Sequence, residues 1–263
     1  MRALFKELLK GHGTPVLQTR DAEGETILSA ANIWTSAHAR RIELRESGLA
    51  PGNMLVSEPR SAFEAVIDLV ACAIGGFVYL PAAAPAPASL RDRIAATPGA
   101  LLALPGCDPA ILTGKAIAEA ITRLSRELGT PVGGTRLSCR ASHCDKGLVI
   151  DLLLGLWNRQ TIHLRAPDWL AHAEGIAEAV SLDVDDLVLA PADLDALGDL
   201  APQARAGLSR MRLDTCGEPL SDGRRELAES LFAKVFVESY STVTDLARLR
   251  GWSTSVPFTT ATW

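Results

Sequence analysis

The residues best suited to chemistry lie between Arg212 and Asp245. Arg212-Leu213-Asp214-Thr215-Cys216 reads as a strand, Gly217-Glu218-Pro219-Leu220 as a turn, and Ser221 as the cap of a helix. A second strand, Lys234–Tyr240, runs into the hydroxyl-rich Ser241-Thr242-Val243-Thr244-Asp245. Asp222 suits the positive end of the helix dipole, and Leu227 and Leu231 repeat at i, i+4. Both turns fall at the carboxyl ends of strands, where α/β proteins hold ligands. The same residues also read as ordinary surface turns, with Glu218 accepting from its own backbone and Tyr240 packed as core.

His143, between Cys139 and Cys144, is a second candidate. Zinc takes three or four ligands in recurrent spacing, and two thiols with one imidazole do not supply that. A Cys–His nucleophile requires spatial adjacency, which the spacing leaves open.

Composition narrows the classes. A chain of 263 residues, 48% hydrophobic and 22% charged, can bury a large core as an ordinary globular protein. Its net charge of −5, without a Lys/Arg block, disfavours nucleic acid and acidic membranes as partners. Five cysteines, with no CxxC pair, indicate free thiols in a reducing cytoplasm. Met1–Lys10 carries four charges and lacks the apolar core of a signal peptide. Leu69–Leu90 is uncharged and long enough to span a bilayer, but Gly75-Gly76 and the prolines at 81, 85 and 87 break it up.

The elements that must position these residues alternate between strand and helix. Asp21–Gly24 turns a hairpin between Val16–Thr19 and Thr26–Leu28, and Ala30–Ser47 is a helix with Ile33, Trp34, Ala37 and Leu44 inward. Met54–Val56 is a strand, Ser61-Ala62-Phe63-Glu64 a capping box, and Phe63–Ile74 a helix packed on a sheet. Phe77–Leu80 then completes a parallel crossover unit. Pro81–Ala88 is a stiff connector, followed by a helix near Ser89–Ala96 and a strand Ala100–Leu104. Pro105–Pro109 is a tight turn, and Thr113 caps a helix with Ile117, Ala120, Ile121, Leu124 and Leu128 on one face. Strands at Arg136–Cys139, Gln160–Leu164 and Leu187–Leu189 alternate with helices at Asp145–Leu156 and Asp168–Val180. The expected class is α/β, layered sheets with flanking helices, over residues 1–263 as one domain with a tail at 246–263.

Taken in order, these pieces resemble the large N-terminal domain of the adenylate-forming (AMP-binding) superfamily of acyl- and aryl-CoA synthetases, peptide-synthetase adenylation domains and luciferases. Gly48-Leu49-Ala50-Pro51-Gly52 with Met54–Val56 is similar to the family's G-V-x-P-G-D-x-V. Ala71–Pro81 is similar to its A-x-x-x-x-G-A-x-Y-V-P, the most specific match. His143–Leu148, including Gly147, falls where the family borders its acyl pocket, and Asp186–Pro191 resembles V-T-x-x-x-x-V-P. Cys216–Ser221 is close to G-G-E-x-L and Tyr240–Asp245 to Y-G-x-T-E. The resemblance thus implies ligand contacts from His143, Gly147, Gly217, Glu218, Pro219, Tyr240, Ser241, Thr242 and Thr244.

Departures from the pattern are equally informative. The family's Ser/Thr/Gly-rich phosphate loop, ending Pro-Lys-Gly, is replaced by Pro105-Gly106-Cys107-Asp108-Pro109, so the chain is shortened near 81–112. Gly114-Lys115 stands at a helix start without that loop. The metal-binding Glu of Y-G-x-T-E aligns with Thr244, or with one inserted residue gives Asp245 as a shorter carboxylate. The ribose-binding Asp and the small C-terminal domain with its catalytic Lys have no counterpart in the sequence. The expectation is a non-adenylating relative that binds an acyl or aryl group, or a carrier protein or enzyme of its pathway. The alternative is an acid–thiol ligase that uses ATP and Mg²⁺, completed by another chain. Open sheet edges in a shortened fold imply a homodimer.

Overall fold

The structure is a computed structural model, and it describes residues 5–6, 9, 15–21, 24–82, 88–104, 110–139, 151–165, 169, 173–198, 200, 202–215 and 220–236. β1 (Pro15–Asp21) and β2 (Gly24–Ser29) pair antiparallel with Asp21 opposite Gly24, as the hairpin reading expects. Ser29 then caps α1 (Ala30–Glu46): its hydroxyl accepts from Asn32 N–H at 3.2 Å, and Asn32 Oδ1 accepts from Ser29 N–H at 3.1 Å. α1 buries Ile33, Ala37 and Leu44, while Trp34 is half-buried, edge-on to His38.

Gly48, at φ 92°, turns the chain toward β3 (Met54–Ser57). Ser61 caps α2 (Ala62–Gly75) through Glu64 N–H, but the Glu64 carboxylate accepts from Arg60 N–H at 2.7 Å. The expected reciprocal box is therefore displaced by one residue. α2 is buried on nearly every side because it packs on α1 and also on the second sheet. Asp68 in its middle is held by Arg40 Nε of α1 at 2.8 Å, as a buried carboxylate must be.

β4 (Val78–Pro81) lies parallel to β3, confirming the crossover, and α3 (Ala88–Ala95) leads to β5 (Ala100–Leu104), parallel to β4. β6 (Ala110–Thr113), not expected as a strand, returns antiparallel to β5, giving the sheet order β3-β4-β5-β6. Thr113 Oγ1 accepts from Ala116 N–H at 3.2 Å and caps α4 (Gly114–Leu128), whose Ile117, Ile121, Leu124 and Leu128 are buried.

The larger sheet adds β7 (Thr135–Ser138), β8 (Thr161–Leu164), β9 (Asp186–Val188), β10 (Arg212–Asp214) and β11 (Lys234–Phe236). Its order is β11-β10-β9-β7-β8-β1-β2, parallel except for the terminal β1–β2 pair. Of the helix expected at 145–156, the described part is a π-helical turn at 151–153 and α5 (Leu154–Trp157). α6 (Ala173–Ser181) falls within the helix expected at 168–180. The strand expected at Leu187–Leu189 is β9, ending at Val188, and Pro191–Leu197, at the end of the motif-like stretch, forms a 3-10 helix, followed by α7 (Pro202–Leu208) and α8 (Asp222–Leu231). Ser221 precedes α8 in extended geometry, without a side-chain capping bond.

Alternation divides the parallel strands between two cores. Leu137, Leu187 and Leu213 pack with Ile176, Leu208 and Leu231 on one face. Ile162, Leu164 and Val188 pack with Leu152–Leu156 and Ile121 on the other. Burial on both faces is what a sheet of parallel crossovers requires. No helix among the described residues is long and apolar enough to cross a membrane.

Candidate functional site

β11, β10, β9 and β7 are adjacent and parallel, so their carboxyl ends share one edge of the sheet. The sequence candidates belong to the segments that follow these ends. His143 and Gly147 follow β7; Gly217, Glu218 and Pro219 follow β10; Tyr240, Ser241, Thr242, Thr244 and Asp245 follow β11. All ten, with Cys107, Cys144 and Cys216, lie outside the described residues. Topology thus brings the segments' points of departure to one edge, the edge where such sheets receive ligands.

Beneath that edge is a buried polar network. The register sets Arg136 of β7 beside Asp186 of β9, and Asp186 beside Arg212 of β10. Two residues further on, the same face carries Ser138 and Asp214. Arg136, only 1% exposed, places Nη2 3.0 Å from Asp214 Oδ2 and 3.6 Å from Asp151 Oδ1, with Nη1 3.7 Å from Asp186 Oδ2. Ser138 Oγ donates to Asp151 Oδ2 at 2.8 Å, and Gln160 Nε2 to Asp186 Oδ2 at 2.7 Å. Arg212 pairs with Asp186 and also donates to the Leu128 carbonyl that ends α4, at 3.3 Å. Gly155 makes room for this: a Cβ there would stand 2.7 Å from Ile162 and 3.6 Å from Arg136 Cδ.

None of these partners was among the sequence candidates. The available signal was charge inside three short strands, Arg136 in β7, Asp186 in β9 and both Arg212 and Asp214 in β10, with signs that complement across the sheet.

A second cluster lies at the end of β8. Arg165 donates to Glu178 at 2.8 Å, stands 4.0 Å from Glu25, and covers the Trp169 ring at 5.6 Å. Beside it His163 is buried, and its Nδ1 has no hydrogen-bond partner among the described residues. Burial, reinforced by the Arg165 charge, pulls its pKa below the ordinary 6.5. The unfolded chain then binds a proton that the folded chain refuses, so stability is complete above that ordinary value and falls as pH drops through it. Urea midpoints measured from about pH 7.5 to about pH 5.5 should fall for the wild type and fall less for His163→Phe.

Burial also pushes the pKa of the Cys139 thiol up, which favours the protonated thiol near neutrality. Among the described residues no group of three or more His, Cys, Asp or Glu is placed to hold a metal ion.

The last feature is the β5–β6 hairpin. Leu104 pairs with Ala110, so five residues join the two strands. Two are prolines, which leaves at most three backbone N–H donors, on Gly106, Cys107 and Asp108. Lys115, in the first turn of α4, is 86% exposed and 3.7 Å from Glu119.

No family model and no curated protein matches the chain. Solved structures do. Apo MatB from Rhodopseudomonas palustris superposes at a TM-score of 0.69 with 15% identity, covering 92% of this chain and 60% of that one. A fatty acyl-adenylate ligase from L. pneumophila, in complex with acyl adenylate and pyrophosphate, gives 0.66 and 12% over 85% and 51%. An acyl-CoA synthetase of Brucella canis gives 0.66 and 14% over 86% and 54%. The chain spans about half the length of most of these structures. Likeness at 12–15% identity speaks for architecture, and the architecture of this chain is that of the large N-terminal domain of the adenylate-forming superfamily.

Proposed function

We propose that this chain is a non-adenylating relative of the AMP-dependent synthetases, which binds an acyl or aryl group at the carboxyl edge of its larger sheet. The group would arrive as the free acid or thioester, or carried by a partner protein or enzyme of the same pathway. The observation that supports this most is the β5–β6 register. Triphosphate is gripped by a Gly-rich loop whose successive N–H groups converge on its oxygens. A five-residue connection with two prolines supplies too few of them. The substitution at Thr244 removes, in the ungapped reading, a carboxylate that a hard cation prefers.

The alternative reading, an acid–thiol ligase that forms an acyl-adenylate with ATP and Mg²⁺, draws on the fold itself and on Asp245 as a metal ligand. Calorimetric titration separates the two. With benzoate, octanoate and their thioesters as probes, the expected result is binding of at least one, unchanged by Mg-ATP, and no heat from Mg-ATP alone. Saturable Mg-ATP binding, or acid binding that requires it, would establish the ligase instead.

A further inference from the structure

We propose that His163, Arg165 and Glu178 form an acid-released latch, which holds α6 against the end of β8 and lets go when the imidazole meets water and takes up a proton. His163 stands in register opposite Leu137 of β7 and Gln18 of β1, on the face where Ile176 and Ala179 of α6 pack with Leu137. Two residues on, Arg165 lies on the same side and is only 5% exposed. Its backbone N–H donates to the Ser138 carbonyl at 2.9 Å, which fixes it to the sheet. Its Nη2 donates to Glu178 of α6 at 2.8 Å, so the side chain bridges sheet and helix. Trp169, under the guanidinium, closes the corner: a Cβ on Gly175 of α6 would stand 3.1 Å from its ring. With nine residues α6 is too short to stand alone, and it depends on these contacts.

The ring decides when the latch holds. His163 Nδ1 and Arg165 Nε are both buried without a hydrogen-bond partner among the described residues. The charges that act on the ring there are Arg165, which opposes a proton, and Glu25 of β2 and Glu178 of α6, which favour one. Burial and Arg165 outweigh the two carboxylates. Cys139 of β7 lies within the field of Arg165, but burial favours its protonated, uncharged thiol. Gln18 and Leu137, the register neighbours, carry no charge. An imidazolium in the closed latch would therefore bury a second cation beside Arg165, with an N–H that lacks an acceptor. Once α6 lifts, the ring is hydrated and takes its proton from solvent. The closed form refuses that proton and the open form accepts it, so acid drives the opening.

Native-state hydrogen–deuterium exchange of the full chain tests this, with each rate divided by the intrinsic rate at its pH. From about pH 7.5 to about pH 5.5 the protection of 173–181 should fall up to about tenfold, because a hydrated imidazole is about nine-tenths protonated one unit below its ordinary value. That exchange should respond weakly to urea, the mark of an opening smaller than global unfolding. His163→Phe should remove the pH step. Glu178→Gln should lower the protection already at about pH 7.5, by about tenfold for the lost charge-assisted hydrogen bond, and should keep the step. If His163→Phe does not fold, the wild type and Glu178→Gln decide. Equal protection of α6 at both pH values overturns the inference, as does exchange there that carries the full urea dependence of unfolding. Wild-type protection of α6 in Glu178→Gln overturns it too.

Discussion

Arg136→Met is expected to lower the free energy of unfolding by about 3–5 kcal/mol, the usual cost of breaking a buried ion pair from one side. The guanidinium is 1% exposed and stands within 3.7 Å of Asp151, Asp186 and Asp214. Methionine fills much of the volume but removes the charge that faces those three carboxylates. Arg212 still holds Asp186 and Ser138 still holds Asp151, which keeps the loss from being larger. Against a typical total of about 5–15 kcal/mol, this is a large share of the stability. Urea unfolding followed by far-UV circular dichroism measures it. Adding Asp214→Leu should return part of the loss, because an ion pair replaced from both sides is often nearly neutral. By contrast, Arg224→Met, which breaks the exposed pair with Asp195, should leave the unfolding curve almost unmoved.

That contrast shows where sequence reading succeeds and where it stops. α4 was legible because Thr113 caps it and apolar residues recur at helical spacing through Leu128. β5 was legible as an uncharged run between turn residues. β6 was not, because Ala-Ile-Leu-Thr before a strong helix has no period of its own; pairing with β5 makes it a strand. The 3-10 helix after β9 was missed for a similar reason. Its start depends on Asp193 accepting from Ala190 N–H, a local bond that an apolar pattern running to Pro191 conceals.

The fold's likeness to the adenylate-forming ligases was readable from short motifs spread along the chain, though no family model matches it. The candidate site was readable only as residue types at strand ends. The network under it joins residues up to 78 positions apart, and nothing in the local sequence of Arg136 says that it will be buried.

The proposed function turns on the loss of adenylation. Adenylation stabilises charge that spreads over transferring phosphate, and positioned donors, Mg²⁺ and lysine supply most of the rate. Here the connection between β5 and β6 offers at most three backbone donors, and Lys115 is turned to solvent beside Glu119. Stability does not forbid a longer loop, since doubling its length costs only about 0.6 kcal/mol. The shortness of this hairpin is therefore not a demand of the fold's stability.

ATP–pyrophosphate exchange, run with Mg²⁺ over a panel of acyl and aryl acids, tests this most directly. The account predicts exchange at the protein-free background for every acid. Acid-dependent exchange above that background would contradict it and make the chain an activating enzyme with an abbreviated nucleotide grip.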